Sequence, residues 1–170
     1  RLYAQAGSTF GAAGLLWRER LARLKHVQAE ALSCEGGAVA ALEPCWALLE
    51  GLKGPVEGSG SRWLDLEWNR AHALLLNHAA AQGGETAAAE ALSAWGEVLA
   101  AARELRFPAV VMEACAQVSE LLIQRGERLG ARSRMQDAFQ SFQELWTRIP
   151  ETHESLFLGR PQMHRFRQAL

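Results

Sequence analysis

No apolar run in this sequence approaches the roughly 20 residues that a membrane-spanning helix needs. The N-terminus also lacks the charged-then-apolar pattern of a secretory signal, so the expected compartment is the cytoplasm. Charge of one sign is not in excess: 18 Lys and Arg against 19 Asp and Glu leave a formal net charge of −1. That balance removes the electrostatic argument for a nucleic-acid partner, which calls for a clearly basic surface. Arg160, Arg165 and Arg167 gather late in the chain, but only locally. Cysteine is scarce as well. Cys34, Cys45 and Cys115 are odd in number, widely spaced and set in apolar runs. They are expected to be small buried hydrophobes in a reducing compartment rather than a disulfide framework or a metal site.

The reactive constellations of enzymes are missing too. The five histidines, His26, His72, His78, His153 and His164, form no zinc-type cluster. His72 and His78 are six apart, which puts them on different faces of a helix, unlike the i, i+4 pair of a metalloprotease. The glycines near 36–37, 54–60 and 83–84 lack the lysine–hydroxyl pair and the preceding strand of a phosphate loop. Carboxylates such as Glu113 and Glu120 share a helix face, where such groups are usually solvated. No nucleophile–base pair stands out. The expectation is a non-enzymatic chain with no catalytic residue, metal or cofactor.

What is present is helical periodicity. No stretch alternates apolar and polar residues long enough for a half-buried strand, so the fold class is all-α, with six long helices and a short C-terminal one. Residues 1–12 read as a frayed lead-in or the tail of a preceding helix. A helix follows over 13–33, with Leu16, Leu21, Leu24, Val27 and Ala31 inward and Arg18, Glu19, Arg23, Lys25 and Glu30 largely outward. The next spans 38–52 and stripes Val39, Leu42, Trp46 and Leu49, with Pro44 either kinking it or sitting in its first turn. Residues 53–60, with three glycines and Pro55, are the best candidate for a flexible loop.

Ser61 then caps a long helix to about Gln82, whose apolar arc is wide enough to pack on more than one side. Thr86 opens a cleanly amphipathic helix through Trp95, Val98 and Ala102. Phe107 closes it, and Pro108 suits the first position of the helix over 108–125. Ser133 and Gln136 have capping-box spacing and start the last long helix near Ser133. Met135, Ala138, Phe139, Phe142, Leu145, Trp146 and Ile149 stripe it, and Pro150 stops it. Of the six tryptophans, Trp46, Trp68, Trp95 and Trp146 are expected in the core. Trp17 and Trp63 lie nearer the stripe edges, where an indole either completes a core or anchors a partner.

The segments repeat. Elbows at Gly37, Gly84 and Gly126 are separated by 47 and 42 positions; Ala91 with Trp95 and Ala138 with Phe142 are offset by 47 in both members, and Ala41 with Cys45 is a degenerate third copy. The period is longer than the ~34 of the simplest tetratricopeptide unit. Gly126 at the elbow, Ala138 and Phe142 on the second helix and Pro150 at the end resemble the tetratricopeptide-repeat family. The tail, "LWTRIPETHESLFLGRPQMHRFRQAL", looks like the closing segment of tetratricopeptide regions in bacterial signalling kinases and AAA-type or NTPase transcriptional regulators. The resemblance implies a right-handed stack of antiparallel helical hairpins over 1–170, with units at 13–55, 61–107 and 108–150 and a capping segment at 151–170. A chain that opens on Arg1 is expected to be a fragment of a larger protein.

In such a stack the first helix of each unit lines the concave side. Asp65, Asn69 and His72 form a polar stripe on one of these helices, and Glu113, Gln117, Glu120 and Gln124 on another. They are the expected groove for an extended or helical peptide, with Asn69 and Gln117 reaching its backbone amides; both stripes being simply wet faces is the competing reading. The expected function is a protein-interaction or regulatory module in a bacterial signalling or transcription-regulatory protein. Its partner would be another protein or peptide, including a domain of the same polypeptide, with neither nucleic acid nor membrane. Two alternatives stand beside it: a scaffold or homodimerising element, and a small-ligand-binding helical domain with a polar pocket around His72 and His78.

Overall fold

The computed structural model describes residues 1–34, 39–83, 85–153 and 159. Among them are seven α-helices and no strand: α1 (Leu2–Ala12), α2 (Leu16–Ser33), α3 (Glu43–Glu57), α4 (Arg62–Ala81), α5 (Glu85–Glu104), α6 (Pro108–Gln124) and α7 (Arg128–Trp146). Short 3-10 turns cover Val39–Leu42 and Glu151–His153. The chain is therefore all-α. It divides into two compact units, Arg1–Ala94 and Trp95–Leu170. None of the described helices is long and apolar enough to cross a membrane.

In the first unit α1 lies along α2, and α2, α3 and α4 pack on one another. Residues 2–12 form a full helix, and the reason lies in the glycines that suggest fraying. A Cβ on Gly11 would come within 2.9 Å of the Glu19 carboxyl carbon, and one on Gly7 within 3.3 Å of Arg23 Cγ. The missing side chains let α1 settle under the stems of a Glu19–Arg23 ion pair on α2. That close approach offsets the roughly 1 kcal/mol that a helix-interior glycine costs.

The core of this unit comprises Leu24, Val27 and Ala31 of α2, Leu49, Leu52 and Val56 of α3, and Leu64, Leu66, Ala71, Leu74 and Leu75 of α4. Leu16, expected inward, stands 56% exposed in the first turn of α2. The loop expected over 53–60 is shorter, because α3 runs through Pro55 to Glu57. Buried Leu52 and Val56 hold that last turn in place, and the backbone bond that Pro55 cannot make lies at the helix end, where its loss is cheap. Pro44 sits in the first turn of α3, after the 3-10 turn over Val39–Leu42. Ser61 caps α4 as expected, its hydroxyl oxygen accepting the Leu64 N–H at 3.4 Å. The elbows expected at Gly37 and Gly84 lie outside the described residues, as do residues 154–158 and 160–170 of the expected capping segment.

In the second unit α6 and α7 form an antiparallel hairpin across a three-residue turn. At Gly126 the backbone takes φ +79°. The Glu127 N–H then bonds the Leu122 carbonyl at 2.8 Å and the Gly126 N–H bonds that of Ile123 at 2.9 Å. This left-handed cap satisfies the orphan carbonyls of α6 and re-aims the chain at once. For that reason α7 begins at Arg128, a turn and more before the start expected at Ser133. Gly130 falls inside α7, where a Cβ would press on Leu122 at 3.3 Å. Ser119, buried in α6, donates its hydroxyl to the Ala131 carbonyl at 3.1 Å and ties the two helices together beside that turn. Of the expected α7 stripe, Ala138 is fully buried, Met135, Phe142, Leu145 and Trp146 are half-buried, and Phe139 is exposed.

The α5–α6 turn uses the same cap without glycine. Phe107 N–H bonds the Ala102 carbonyl at 2.9 Å, Arg106 N–H bonds that of Arg103 at 3.1 Å, and Arg106 takes φ +57°. A residue that carries a Cβ pays for that conformation in a way glycine does not. Arg106→Gly is therefore expected to raise stability by about 0.5–1 kcal/mol, read as a higher denaturant midpoint at unchanged slope. A lower midpoint would mean that the Arg106 side chain contributes more than its backbone costs.

Candidate functional site

The polar stripe on α4 is placed by a helix that is otherwise largely inside. Leu64, Leu66, Glu67, Arg70, Ala71, Ala73, Leu74 and Leu75 are buried, and Asp65, Asn69 and His72 fall on the half-buried side of the helix, at spacings of four and three. His72 is held between two indoles. Its ring stacks on Trp68 at 5.1 Å between centroids and meets Trp46 of α3 edge-on at 5.6 Å. Trp68 is itself fixed, because its indole N–H donates to the Leu49 carbonyl at 3.0 Å while the Lys53 ammonium lies 5.7 Å from its ring. Trp46 and Trp68, expected in the core, are thus half-buried and flank the strip. The result is an amide, a carboxylate and an imidazole in one row, with aromatic walls and a lysine at the rim.

The second stripe lies on α6. Val110, Val111, Met112, Ala114, Cys115, Val118, Ser119 and Leu121 are buried there. Glu113 and Gln117 are half-buried, and Glu120 and Gln124 exposed, so all four fall on the open arc of that helix. Each stripe is intact within its own unit.

His72 and His78 take different neighbours. His72 faces α3, whereas a ring nitrogen of His78 lies 2.7 Å from the Ala31 carbonyl in the last turn of α2. A carbonyl can only accept, so that nitrogen carries the proton and supplies a donor to the end of α2. Nothing in the linear pattern marks this role, because the carbonyl served is 47 residues away.

Periodicity also misses the polar centre of the first unit. Lys25, expected largely outward, sends its ammonium to Glu67 at 2.6 Å. Glu67 is 1% exposed. The Gln28 amide donates to the same carboxylate oxygen at 2.8 Å and to the Glu67 backbone carbonyl at 3.0 Å, and accepts from Lys25 at 3.1 Å. Arg70 adds a longer ion pair at 3.6 Å. These contacts lock α2 and α4 together and set the depth at which α4 presents Asp65, Asn69 and His72.

The cysteines behave mainly as expected: Cys45 and Cys115 are buried, while Cys34 is half-exposed. Burial raises the Cys45 thiol pKa, with smaller contributions from Glu30 and Cys34. Burial also drives the Cys115 thiol up, to about 11; Asp137 pushes in the same direction, and Arg103 and Arg134 oppose it. Among the described residues no group of three or more His, Cys, Asp or Glu is placed to hold a metal ion.

In comparisons with known proteins, no family, curated protein or solved structure matches this chain.

Proposed function

We propose that this chain is a tetratricopeptide-like protein-interaction or regulatory module within a larger bacterial signalling or transcription-regulatory protein. The observation that supports it best is the strip on α4. A helix buried around most of its circumference leaves Asp65, Asn69 and His72 half-buried in one row, with the His72 ring against the indoles of Trp46 and Trp68. Carboxamides on a rigid helix donate to and accept from a peptide backbone, while indole faces take apolar or cationic side chains. The open arc of α6, through Gln117, offers the same chemistry.

A peptide selected from a displayed library on the wild-type chain supplies the probe. The Asn69→Ala and His72→Ala variants are each expected to bind it about tenfold more weakly, the effect of losing one or two well-placed contacts. Titration calorimetry reads the difference. Affinity unchanged in both variants would show that the α4 stripe is only a solvated face.

A further inference from the structure

The turn between α1 and α2 carries a surface that the α4 strip does not use. Gly14, at φ +71°, swings the chain into α2, and three apolar side chains follow in succession. Leu15 is 37% exposed, Leu16 56% and Trp17 54%. Large apolar side chains clustered on a surface mark an interaction site more often than the same residues scattered singly. Arg18 completes the cluster. Its guanidinium lies 5.1 Å from the Trp17 ring centroid and 6.0 Å from that of Phe10 on α1. An indole and a guanidinium side by side are the two side chains most often found to dominate binding energy at protein interfaces.

Basic side chains outnumber acidic ones in this part of the sequence. From Arg1 to Lys25 the sequence holds five basic residues and a single carboxylate, Glu19. Glu19 is engaged by Arg23, and Lys25 by Glu67. Arg18 and Arg20 therefore set a positive field next to the exposed apolar side chains. Such a surface is complementary to a segment that pairs an apolar stripe with flanking carboxylates. We propose that the α1–α2 elbow is a docking surface for an acidic amphipathic helix of a partner protein, seated on Leu15, Leu16 and Trp17 with its carboxylates against Arg18 and Arg20.

The probes are two labelled amphipathic peptides with the same leucine stripe, one flanked by glutamates and the other by lysines, followed by fluorescence anisotropy. Wild type is expected to bind the glutamate peptide at least about tenfold more tightly than the lysine peptide, and Trp17→Ala to weaken that binding about tenfold. Arg18→Glu is expected to level or reverse the preference between the two peptides, a change that a folding defect does not imitate. Asn69→Ala and His72→Ala leave this binding unchanged, so its outcome is separate from that of the α4 strip. The proposal is overturned by failure of the glutamate peptide to bind, by a preference indifferent to Arg18→Glu, or by Trp17→Ala without effect. Partition of the protein onto anionic phospholipid vesicles, lost in Trp17→Ala while the glutamate peptide fails to bind, would assign the elbow to a membrane surface instead.

Discussion

Glu67→Ala is expected to cost about 3–5 kcal/mol, the range for breaking a buried ion pair by removing one partner. One carboxylate oxygen takes the Lys25 ammonium, the Gln28 amide and, at longer range, the Arg70 guanidinium. Without it two cations are left near one another in a poorly solvated seam, and the Gln28 amide loses its side-chain acceptor. Domains of this size are stable by about 5–15 kcal/mol, so the loss would consume much of the total. Glu67→Gln keeps the shape and an acceptor but not the charge, and should fall between alanine and wild type.

Lys25→Met should cost less, about 1–2 kcal/mol, because its side chain is 27% exposed and Gln28 and Arg70 remain to serve the carboxylate. A double-mutant cycle over Lys25→Met and Glu67→Gln, read by urea denaturation, should show coupling of more than about 1 kcal/mol. A Glu67→Ala cost below about 1 kcal/mol would show that water reaches the seam and that the network does not hold α2 on α4.

Stability should also fall at alkaline pH because of one thiol. Cys115 is fully buried in α6, and its pKa rises from an ordinary 9.0 to about 11. Between those values the folded chain retains a proton that the unfolded chain has released. The unfolded state then gains by ionising while the folded state does not. The stability attached to Cys115 is therefore complete below pH 9 and shrinks as pH rises toward 11, at about 1.4 kcal/mol per unit. The accumulated loss by pH 11 is about 2–3 kcal/mol.

Other groups titrate in that range, so the measurement is a comparison. Denaturant midpoints taken from pH 8 to pH 11 should fall more steeply for wild type than for Cys115→Ala, whose own cavity cost is constant with pH. Parallel curves would mean that the thiol ionises in the fold as it does in water. Thiol reagents should label Cys34 first and reach Cys115 only as the second unit opens.

How much of this was legible beforehand depends on the range of the interaction concerned. Ser61 capping α4, Pro108 opening α6 and Gly126 closing it were readable, because each satisfies or removes a backbone bond within a few residues. The buried stripe of Leu24, Val27 and Ala31 followed from a helical period alone. The start of α7 lies five residues before the position the capping spacing indicates. Ser133 and Gln136 have a genuine capping spacing, but the left-handed cap at Gly126 restarts a helix directly, and Gly130 lies inside that helix, where its missing Cβ leaves room for Leu122. Gly7 and Gly11 were misleading in the same sense: what looks like fraying in one dimension is close packing once α2 lies alongside.

The amino-acid order on its own determined an all-α chain, the approximate limits of α2, α4, α5 and α6, and which residues of α4 and α6 form polar rows. Those are consequences of dihedral preference and of side chains three or four positions apart. The tertiary structure alone decided that Lys25 turns inward to Glu67, that His78 serves the end of α2, that His72 is clasped by Trp46 and Trp68, and that Leu16 and Trp17 stay in water. For Lys25, His78 and His72 a deciding neighbour, Glu67, Ala31 or Trp46, comes from another helix, tens of residues away in sequence for all three. Whether a lysine is a solvated charge or half of a buried pair depends on what packs against it, and periodicity along one helix carries no information about that.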